Sequence, residues 1–379
     1  MKIKMLLFLD SSLISGIGTD PSVVDALDLI AHSRRLGNHI VFGKRDIIKF
    51  LATCNLISDT SRAVYRKLYE DLPTTSSYLS EINLLVEIVL EDVLELIERG
   101  NSKVIRASIK YFSNLSLLTE TALLSENHDD VSFYKRLATT YLQLKNLGNI
   151  YIKYEPRGGG GQTTARDFQT LQSSKQRFCL CILDSDRKAP DLDIGDTAKA
   201  VLRAKDSNQP LCDICVLKVR EIENLIPAII YREIFENDVN KRDAISFLEF
   251  IDNSQHNEVR NYLDLKKGLK LYKILREEPQ RQFRIYWLSV AQNFRDQLSP
   301  VCYACLDKEV CSQGTFEKCQ CFITLGFGDS IMSKVEENYL SRDFSPLISD
   351  LVRAEWERLG ATITFWCCAS PQMTTIRSS

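Results

Sequence analysis

Residues 178–187 read FCLCILDSDR, an apolar run that ends in two aspartates separated by one residue. An uninterrupted apolar run bounded by polar residues is typical of a strand that is buried on both faces of a parallel sheet. Asp184 and Asp186 would then lie at the carboxyl end of the strand, the edge at which open α/β sheets form their sites. The run therefore predicts both an α/β fold and the place of a polar site.

The chain before this run alternates predicted strands with predicted helices. Residues 117–124 predict a strand, followed by an acidic turn and a helix that continues to Leu144. A second strand is predicted at 150–154, and after the glycine run 158–161 a helix is predicted at 165–172. This alternation predicts a mostly parallel sheet flanked by helices.

The N-terminal stretch shows a similar alternation. A strand at 3–9 is followed by a helix from Pro21, with Asp20 as its N-cap, and then by a strand at 39–42 and a helix from Arg45. We expect these strands to pair in parallel.

Residues 80–99 predict a long helix because their apolar side chains recur at helical spacing. Ser80 could cap this helix and Gly100 could end it. The apolar positions are Leu84, Leu85, Ile88, Val89, Val93, Leu96 and Ile97.

The composition excludes several classes of protein. Of the 379 residues, 44% are hydrophobic and 26% are charged, so a disordered or fibrous protein is not expected. The formal net charge is -2, so any binding of nucleic acid must rest on a local basic patch. No apolar run approaches the roughly 20 residues of a membrane helix. Asp10 interrupts the apolar N-terminus where a signal peptide would continue, and we expect a cytoplasmic protein.

Three acidic pairs follow predicted strands or lie shortly after them. They are Glu126 and Asp130, Asp184 and Asp186, and Glu221 and Glu223. Carboxylate oxygens are preferred ligands of Mg²⁺, and two carboxylates separated by one residue can reach the same cation. Taken alone, Asp-x-Asp is also common in solvated turns, but three acidic pairs on one α/β frame favour a metal site.

The order of these elements resembles the TOPRIM fold, which topoisomerases, primases and a group of nucleases share. Glu126 matches the acid after the first TOPRIM strand, and residues 158–161 match the glycine turn after the second. Asp184 and Asp186 match the pair of acids after the third. Residues 220–224 read REIEN and resemble an element of the overcoming-lysogenisation-defect (OLD) nucleases and of related phage-defence nucleases.

The resemblance implies a Mg²⁺- or Mn²⁺-dependent endonuclease that hydrolyses phosphodiester bonds, with DNA the favoured substrate. The implied cation ligands are Glu126, Asp184 and Asp186, with Asp130 and Glu223 near a second ion. A downstream lysine of this group corresponds to Lys266 or Lys267, although both could equally be exposed lysines of a helix.

The same resemblance implies a role as an effector of bacterial defence against phage. OLD nucleases usually carry an ATPase domain, but this sequence has no Gly-x-x-x-x-Gly-Lys-Ser/Thr phosphate loop. A separate ATPase or sensor subunit is therefore the implied partner, no membrane partner is expected, and a homo-oligomer remains open. The alternative is a non-enzymatic subunit that binds nucleic acid or protein through a degenerate TOPRIM fold with structural zinc.

Basic residues outnumber acidic ones over residues 260–295, and aromatic residues lie among them. Positive charge follows phosphates and aromatic faces stack on bases, so this segment is a candidate for contact with nucleic acid. Tyr286 and Trp287 lie in the mainly apolar run 285–290 and are better explained as core residues.

The segment 302–321 is rich in cysteine. It contains Cys302, Cys305, Cys311, Cys319 and Cys321, more thiols than the four positions of a tetrahedral zinc site need. We expect a structural zinc here, with free thiols or a redox pair as the alternatives. Cys212 and Cys215 also have ligand spacing, but they lie in an apolar run that predicts a buried strand.

These patterns divide the chain into three predicted parts. Residues 1–105 form an N-terminal α/β region for docking, which faintly resembles a PIN domain because Asp10 follows its first strand. Residues 106–275 form the TOPRIM-like catalytic domain, and residues 276–379 form a C-terminal region with the cysteine cluster.

Overall fold

The computed structural model describes residues 5–79, 84–100, 102–277, 280–298, 300–310, 318–339 and 343–373. The chain divides into two compact units. The first comprises Met1–Ile182, Ala200–Cys215 and Glu357–Ser379, and the second comprises Leu183–Lys199 and Val216–Trp356. The boundaries proposed after residues 105 and 275 stay a prediction.

The strands are, in chain order, β1 (Met5–Leu9), β2 (Ile40–Gly43), β3 (Leu84–Val89), β4 (Leu94–Arg99), β5 (Ser102–Ser108), β6 (Thr121–Ser125), β7 (Tyr151–Ile152), β8 (Tyr154–Gly158), β9 (Cys179–Leu183), β10 (Cys212–Val216), β11 (Gly268–Lys270), β12 (Phe322–Leu325) and β13 (Cys368–Ala369). The α-helices are α1 (Leu13–Gly16), α2 (Pro21–Leu36), α3 (Arg45–Thr53), α4 (Asp59–Leu79), α5 (Asp130–Leu144), α6 (Thr164–Ser174), α7 (Asp196–Ala204), α8 (Ala228–Ile234), α9 (Arg242–Asp252), α10 (Arg281–Asn293), α11 (Pro300–Asp307), α12 (Ile331–Tyr339) and α13 (Asp350–Cys367). None of the helices in the described ranges has the length and apolar character that crossing a membrane requires.

The first unit contains a five-stranded mixed sheet in the order β2-β1-β3-β5-β4. β1 runs parallel to β2 and β3, β3 runs parallel to β5, and β4 runs antiparallel to β5. The predicted alternation of strands and helices over residues 5–53 is confirmed. Asp20 caps α2 by accepting the N–H of Ser22 at 2.9 Å, and Gly37 ends the helix with a left-handed φ of 73°.

The helix predicted over residues 80–99 is wrong, because the described part of this stretch forms β3 and β4. Residues 80–83, including the proposed cap Ser80, lie outside the described residues. The apolar side chains of β3 are nearly continuous, as in a central strand, and together with Leu96 and Ile97 of β4 they imitate helical spacing. Pairing of β3 with β1 and β5 decides the structure, and local periodicity does not report this pairing.

The first unit also contains a four-stranded sheet in the order β10-β9-β6-β8. β6 runs parallel to β8 and β9, and Ser125 pairs with Gly158 on one side and with Ile182 on the other. Every residue of β6 and β9 is buried, so the interpretation of residues 178–183 as a buried strand is confirmed. The α/β class, with a parallel sheet flanked by helices, is confirmed as well.

Two predicted strands have different bounds in the structure. β6 begins at Thr121, after a 3-10 turn, rather than at residue 117. The strand predicted at 150–154 is divided between β7, which pairs with β13, and β8, which continues to the first glycine of the glycine run. Lys153 donates its N–H to the Cys367 carbonyl at 2.9 Å, so a distant part of the chain sets this division.

The second unit is mainly helical and includes an antiparallel pair of strands, β11 and β12. Trp287 and Trp356 lie in its core, where their indole N–H groups donate to the carbonyls of Lys188 and Leu225, each at 2.8 Å. The prediction that Trp287 is a core residue is therefore confirmed, whereas Tyr286 is half-buried.

Part of the predicted basic segment 260–295 lies inside the second unit. The side chain of Arg260 is 1% exposed, and its Nη1 contacts both carboxylate oxygens of Asp252, at 2.7 and 2.6 Å. Its Nε donates to the Asn224 carbonyl at 3.0 Å. Contact with nucleic acid is thus the wrong assignment for Arg260, and it stays a prediction for the rest of the segment.

Candidate functional site

Hydrogen bonds within the second unit tie residues 184–186 to residues 219–222. They join Asp184 Oδ1 to the Ile222 N–H at 3.0 Å, Ser185 Oγ to the Val219 carbonyl at 2.7 Å, and the Asp186 N–H to the Arg220 carbonyl at 2.9 Å. The Asp-Ser-Asp turn and the REIEN element therefore form one structural piece. Within it, Asp184 is buried.

Asp186 has a left-handed backbone conformation with a φ of 50°. Aspartate tolerates this conformation better than most residues because its short polar side chain can bond locally. Gly195 packs directly against it: a Cβ at Gly195 would lie 2.5 Å from Asp186 Cβ. A larger residue at position 195 would therefore displace the half-buried Asp186 side chain.

The REIEN element at 220–224 is closed by a capping box. The Glu221 N–H donates to Asn224 Oδ1 at 2.8 Å, and the Glu221 carboxylate accepts the Asn224 N–H in return. Asn224 Nδ2 also donates to the carbonyls of Arg260 and Leu263, at 2.8 and 3.1 Å. Asn224 thus fixes the backbone that presents the two glutamates.

Lys266 faces the acids of this piece. Glu223 is 0% exposed, and its Oε1 forms an ion pair with Lys266 Nζ at 2.9 Å. Burial lowers the pKa of Lys266, but the charges of Glu223, Glu221 and Asp184 outweigh it and raise the pKa above its ordinary value. Lys266 is therefore protonated at neutral pH, within electrostatic range of three carboxylates.

Lys266 and Lys267 lie on a turn, so the helix assumed for them is wrong. Asp264 holds this turn: its Oδ1 accepts the Lys267 N–H at 2.7 Å, and its carbonyl accepts the Gly268 N–H at 2.8 Å. Gly268 has a left-handed φ of 73° and begins β11, which ends any helical continuation. Lys266 is half-buried against Glu223, whereas Lys267 is exposed.

Arg220 connects the REIEN element to the lysine turn. Its Nη2 donates to Asp264 Oδ2 at 2.7 Å, and its Nε donates to Glu221 Oε1 at 3.3 Å. The sequence analysis assigned no role to Arg220 or Asp264. Only their positions in the sequence could have indicated a role: Arg220 is the first residue of REIEN, and Asp264 lies two residues before Lys266.

Glu221 is a buried carboxyl with an unusual proton affinity. Burial raises its pKa to about 7, although Arg220 and Lys266 act in the opposite direction. Its Oε2 has no hydrogen-bond partner among the described residues. A carboxyl with this pKa exchanges a proton near neutral pH, and the buried oxygen is available to a proton or to a cation.

Glu126 and Asp130 lie in the first unit, in the turn after β6 and at the start of α5. The glycine run packs against this turn, since Gly159 donates its N–H to the Ser125 carbonyl at 2.7 Å. A Cβ at Gly159 would clash with Thr164. Close packing therefore explains this glycine without a bound phosphate.

The structure distributes the predicted site residues between the two units. Within the second unit it gathers Asp184, Glu221 and Glu223 around Lys266, and Glu126 and Asp130 belong to the first unit. We call the second-unit group the carboxylate cluster. It contains four carboxylate side chains and two basic side chains. Its members are Asp184, Glu221, Glu223, Asp264, Arg220 and Lys266.

The donor atoms of the carboxylate cluster suit a hard cation. Carboxylate oxygens are the ligands that Mg²⁺ and Mn²⁺ prefer, and Asp184, Glu221 and Glu223 supply them here. The buried Oε2 of Glu221 and the surplus of acids over bases fit such an ion. As the side chains stand, however, no group of three or more His, Cys, Asp or Glu residues in the described ranges could hold a metal ion.

The cysteine-rich segment is described in part. Cys302, Cys305, Cys319 and Cys321 are buried, and Cys311 lies outside the described residues. Cys212 and Cys215 are buried in β10, which confirms the strand predicted for them.

Comparison with known proteins identifies no relative. No family model matches the chain, and no curated protein or solved structure matches it. The carboxylate cluster and the resemblance of its sequence motifs are therefore the features of the chain that bear on its function.

Proposed function

We propose that the protein is a Mg²⁺- or Mn²⁺-dependent endonuclease of the TOPRIM type that acts on nucleic acid, with DNA the favoured substrate. The observation that supports this proposal is the carboxylate cluster, where Asp184, Glu221, Glu223 and Lys266 lie together. Metal-assisted hydrolysis of a phosphodiester needs oxygen ligands for a cation and a positive group for the charge that develops on the phosphate. The cluster contains both.

Asp184, Glu221 and Glu223 would hold the cation. Held by these carboxylates, a divalent cation would supply the activation of a water molecule and the stabilisation of the leaving oxygen. The Ile222 N–H restrains the Asp184 carboxylate, and the capping box restrains the backbone of the two glutamates. The backbone that carries the ligands is therefore fixed before a cation arrives, which reduces the cost of binding it.

Glu221 and Lys266 have separate tasks in this proposal. Without a cation, burial raises the pKa of Glu221 to about 7, so a cation that binds its carboxylate would displace a proton at neutral pH. Lys266 carries a fixed positive charge, which the Asp264 turn positions and the Glu223 carboxylate balances. When a phosphodiester approaches, this charge stabilises the negative charge of the transition state.

The remaining predicted residues keep the roles that the resemblance implies. Asp186 is proposed as a further cation ligand of the carboxylate cluster. Glu126 as a cation ligand and Asp130 near a second ion stay predictions of the resemblance, since both lie in the first unit. Lys267 is exposed and one residue from Lys266, so it provides a matched control for the lysine rather than a second catalytic candidate.

The proposed biological role is that of an effector in bacterial defence against phage, with a separate ATPase or sensor subunit as partner. It rests on the REIEN element at 220–224 and on the lack of a phosphate-loop motif in the sequence. Expression in a bacterial host should reduce phage growth, and the Glu223→Gln variant should not. Equal protection by both forms would contradict a nuclease effector.

Nicking of supercoiled plasmid tests the activity. Purified protein should nick the plasmid with Mg²⁺ or Mn²⁺ and leave it intact with a chelator. Glu223→Gln should abolish nicking, and Lys267→Met should retain it. Cleavage that persists in the chelator, or that Glu223→Gln leaves unchanged at equal folded fraction, would contradict the proposal.

A non-enzymatic binding subunit is the second candidate, and one observation favours it. Glu223 is fully buried and already paired with Lys266 at 2.9 Å, as in an ion pair whose task is structural. On this account Glu223→Gln lowers the melting temperature, and the wild-type protein shifts labelled nucleic acid in a gel without cleaving it in either metal.

A further inference from the structure

Four cysteines of the second unit form two pairs that are close in sequence. Cys302 and Cys305 lie on α11, three residues apart and therefore on the same side of the helix. Cys319 and Cys321 come just before β12. All four are at most 1% exposed.

The sulfur atom of Cys321 contacts both cysteines of the α11 pair. The Sγ atoms of Cys305 and Cys321 lie 3.8 Å apart, and the Cys302 thiol is also within hydrogen-bonding range of Cys321. Cys319 Sγ contacts the Cys321 carbonyl at 3.9 Å. We call Cys302, Cys305, Cys319 and Cys321 the thiol cluster.

The separation of the Cys305 and Cys321 sulfur atoms is compatible with two ligands of one zinc ion, although as they stand the described thiols do not form a group of three that could hold a metal. Zinc binds thiolate sulfur at about 2.3 Å, so two sulfurs at the corners of a tetrahedral site are about 3.8 Å apart. A disulfide would bring the sulfurs to about 2.05 Å. The observed 3.8 Å between Cys305 and Cys321 agrees with the first distance.

The chain that follows the thiol cluster holds the lysine turn. The Leu271 N–H donates to the Cys321 carbonyl at 2.8 Å, and β12 then pairs antiparallel with β11. Beyond β12, the N–H groups of Phe327 and Gly328 donate to the carbonyls of Leu265 and Lys266, at 2.8 and 2.9 Å. A side chain at position 326 would clash with the Lys266 carbonyl, so the two segments are in close backbone contact.

We propose that the thiol cluster binds one structural Zn²⁺, which ties α11 to β12 and thereby holds the turn that carries Lys266. Cys311, the fifth cysteine of the segment, is not needed as a ligand. The zinc site stands on the thiols alone; only its consequence for cleavage, through Lys266, rests on the proposed nuclease function.

Metal analysis of protein purified without chelator tests the site. We expect about one zinc per chain. Cys321→Ser should lose zinc, whereas Cys311→Ser, the matched control, should retain it. Absence of zinc from the wild-type protein, or its retention in Cys321→Ser, would overturn the proposal.

A second measurement covers variants that fail to fold. Stepwise modification of wild-type thiols with an organomercurial should release zinc in proportion to the cysteines modified, and Co²⁺ in place of zinc should show the absorption of a tetrahedral thiolate complex. Disulfide formation between Cys305 and Cys321 in non-reducing mass spectrometry, without zinc, would overturn the proposal in favour of a redox pair.

Hydrogen exchange tests the link to Lys266. Stripping zinc should speed exchange of the amides over 265–271 and 321–328 and leave β6 unchanged. Equal exchange with and without zinc would overturn the link. These readouts do not need cleavage: zinc without nicking contradicts the nuclease proposal alone, and nicking without zinc contradicts this one alone.

Discussion

Two groups of charged side chains in this molecule have opposite characters. On the mixed sheet of the first unit, carboxylates and arginines pair near solvent, in a group we call the sheet network. Its members are Glu87, Glu91, Glu95, Arg99 and Arg106, and the side chains of Arg99, Glu91 and Glu95 are 53%, 60% and 46% exposed. In the carboxylate cluster, by contrast, all four carboxylates are buried, and Glu223 is 0% exposed, whereas Glu87 is the one buried carboxylate of the sheet network.

The difference shows that paired charges alone do not mark a site. Arg99 binds both oxygens of the buried Glu87, at 3.0 and 2.8 Å, but Arg99 is itself 53% exposed. Solvent therefore screens the pair, and surface pairs of this kind contribute about 0–1 kcal/mol. In the carboxylate cluster, burial raises the pKa of Glu221 to about 7. Burying several carboxylates together is unfavourable for folding. Such groups of buried carboxylates are common in sites that bind a cation or exchange a proton.

The largest expected effect separates the two groups by activity. Glu223→Gln should reduce plasmid nicking by about 10³-fold, because it removes a charged ligand from the cluster. Arg106→Ala, which breaks the centre of the sheet network, should change nicking less than about two-fold. Rates measured at equal folded fraction check both, and a similar loss in the two variants would remove the distinction.

The next effect concerns the two lysines of the turn. Lys266→Met should lower kcat by about 10²-fold with little change in KM, because its charge acts mainly on the transition state. Lys267→Met should leave kcat nearly unchanged, since this side chain is exposed. If both variants instead weaken DNA binding alike and reduce its salt dependence, the pair follows phosphates and the catalytic role is wrong.

Glu221 makes the stability of the carboxylate cluster depend on pH. Burial raises its pKa from 4.5 to about 7, so between these pH values the folded state keeps a proton that the unfolded chain has released. The stability from this group is full below pH 4.5 and is lost as the pH rises through 7, by at most about 3 kcal/mol.

Melting curves from pH 5 to pH 8 test this dependence. Glu221→Gln cannot release a proton, so its melting temperature should fall less than that of the wild type over this range, and the variant should be the more stable form at pH 8. Parallel pH profiles of the two proteins would show that Glu221 does not titrate as described.

The smallest effect belongs to the sheet network. Arg99→Ala should lower the free energy of unfolding by less than about 1 kcal/mol, and high salt should reduce the difference further. Chemical denaturation at two salt concentrations measures it. A loss of several kcal/mol would mean that exposed pairs stabilise this sheet as strongly as buried ones.

The parts of the fold that could be predicted have local signals. The apolar run of β9 cannot lie at a surface, and Asp20 with Pro21 marks the start of α2 whatever the rest of the chain does. The helix predicted over residues 80–99 was wrong because β3 lies between β1 and β5. Strand partners that are distant in sequence override the local helical spacing. The prediction of one undivided strand at 150–154 was wrong for the same reason, since β7 pairs with β13 from the end of the chain.

The candidate site was predictable to a similar degree. Asp184 and Glu223 stand in stretches whose pattern points to carboxylate chemistry. The pairing of Lys266 with Glu223 was not visible, because a turn held by Asp264 brings together residues that lie 43 positions apart. Arg220 and Asp264 act through other side chains, and such positioning roles leave no pattern of their own in one sequence.

Binding of Mn²⁺, followed by electron paramagnetic resonance, tests the central claim that the carboxylate cluster holds a divalent cation. Titration of wild-type protein should reduce the signal of free Mn²⁺ in proportion to the protein added. Asp184→Asn, which keeps an acceptor for the Ile222 N–H, should abolish this binding, and Glu87→Gln in the sheet network should preserve it. Wild-type protein that leaves the free Mn²⁺ signal unchanged, or Asp184→Asn that binds as well as the wild type, would contradict the claim.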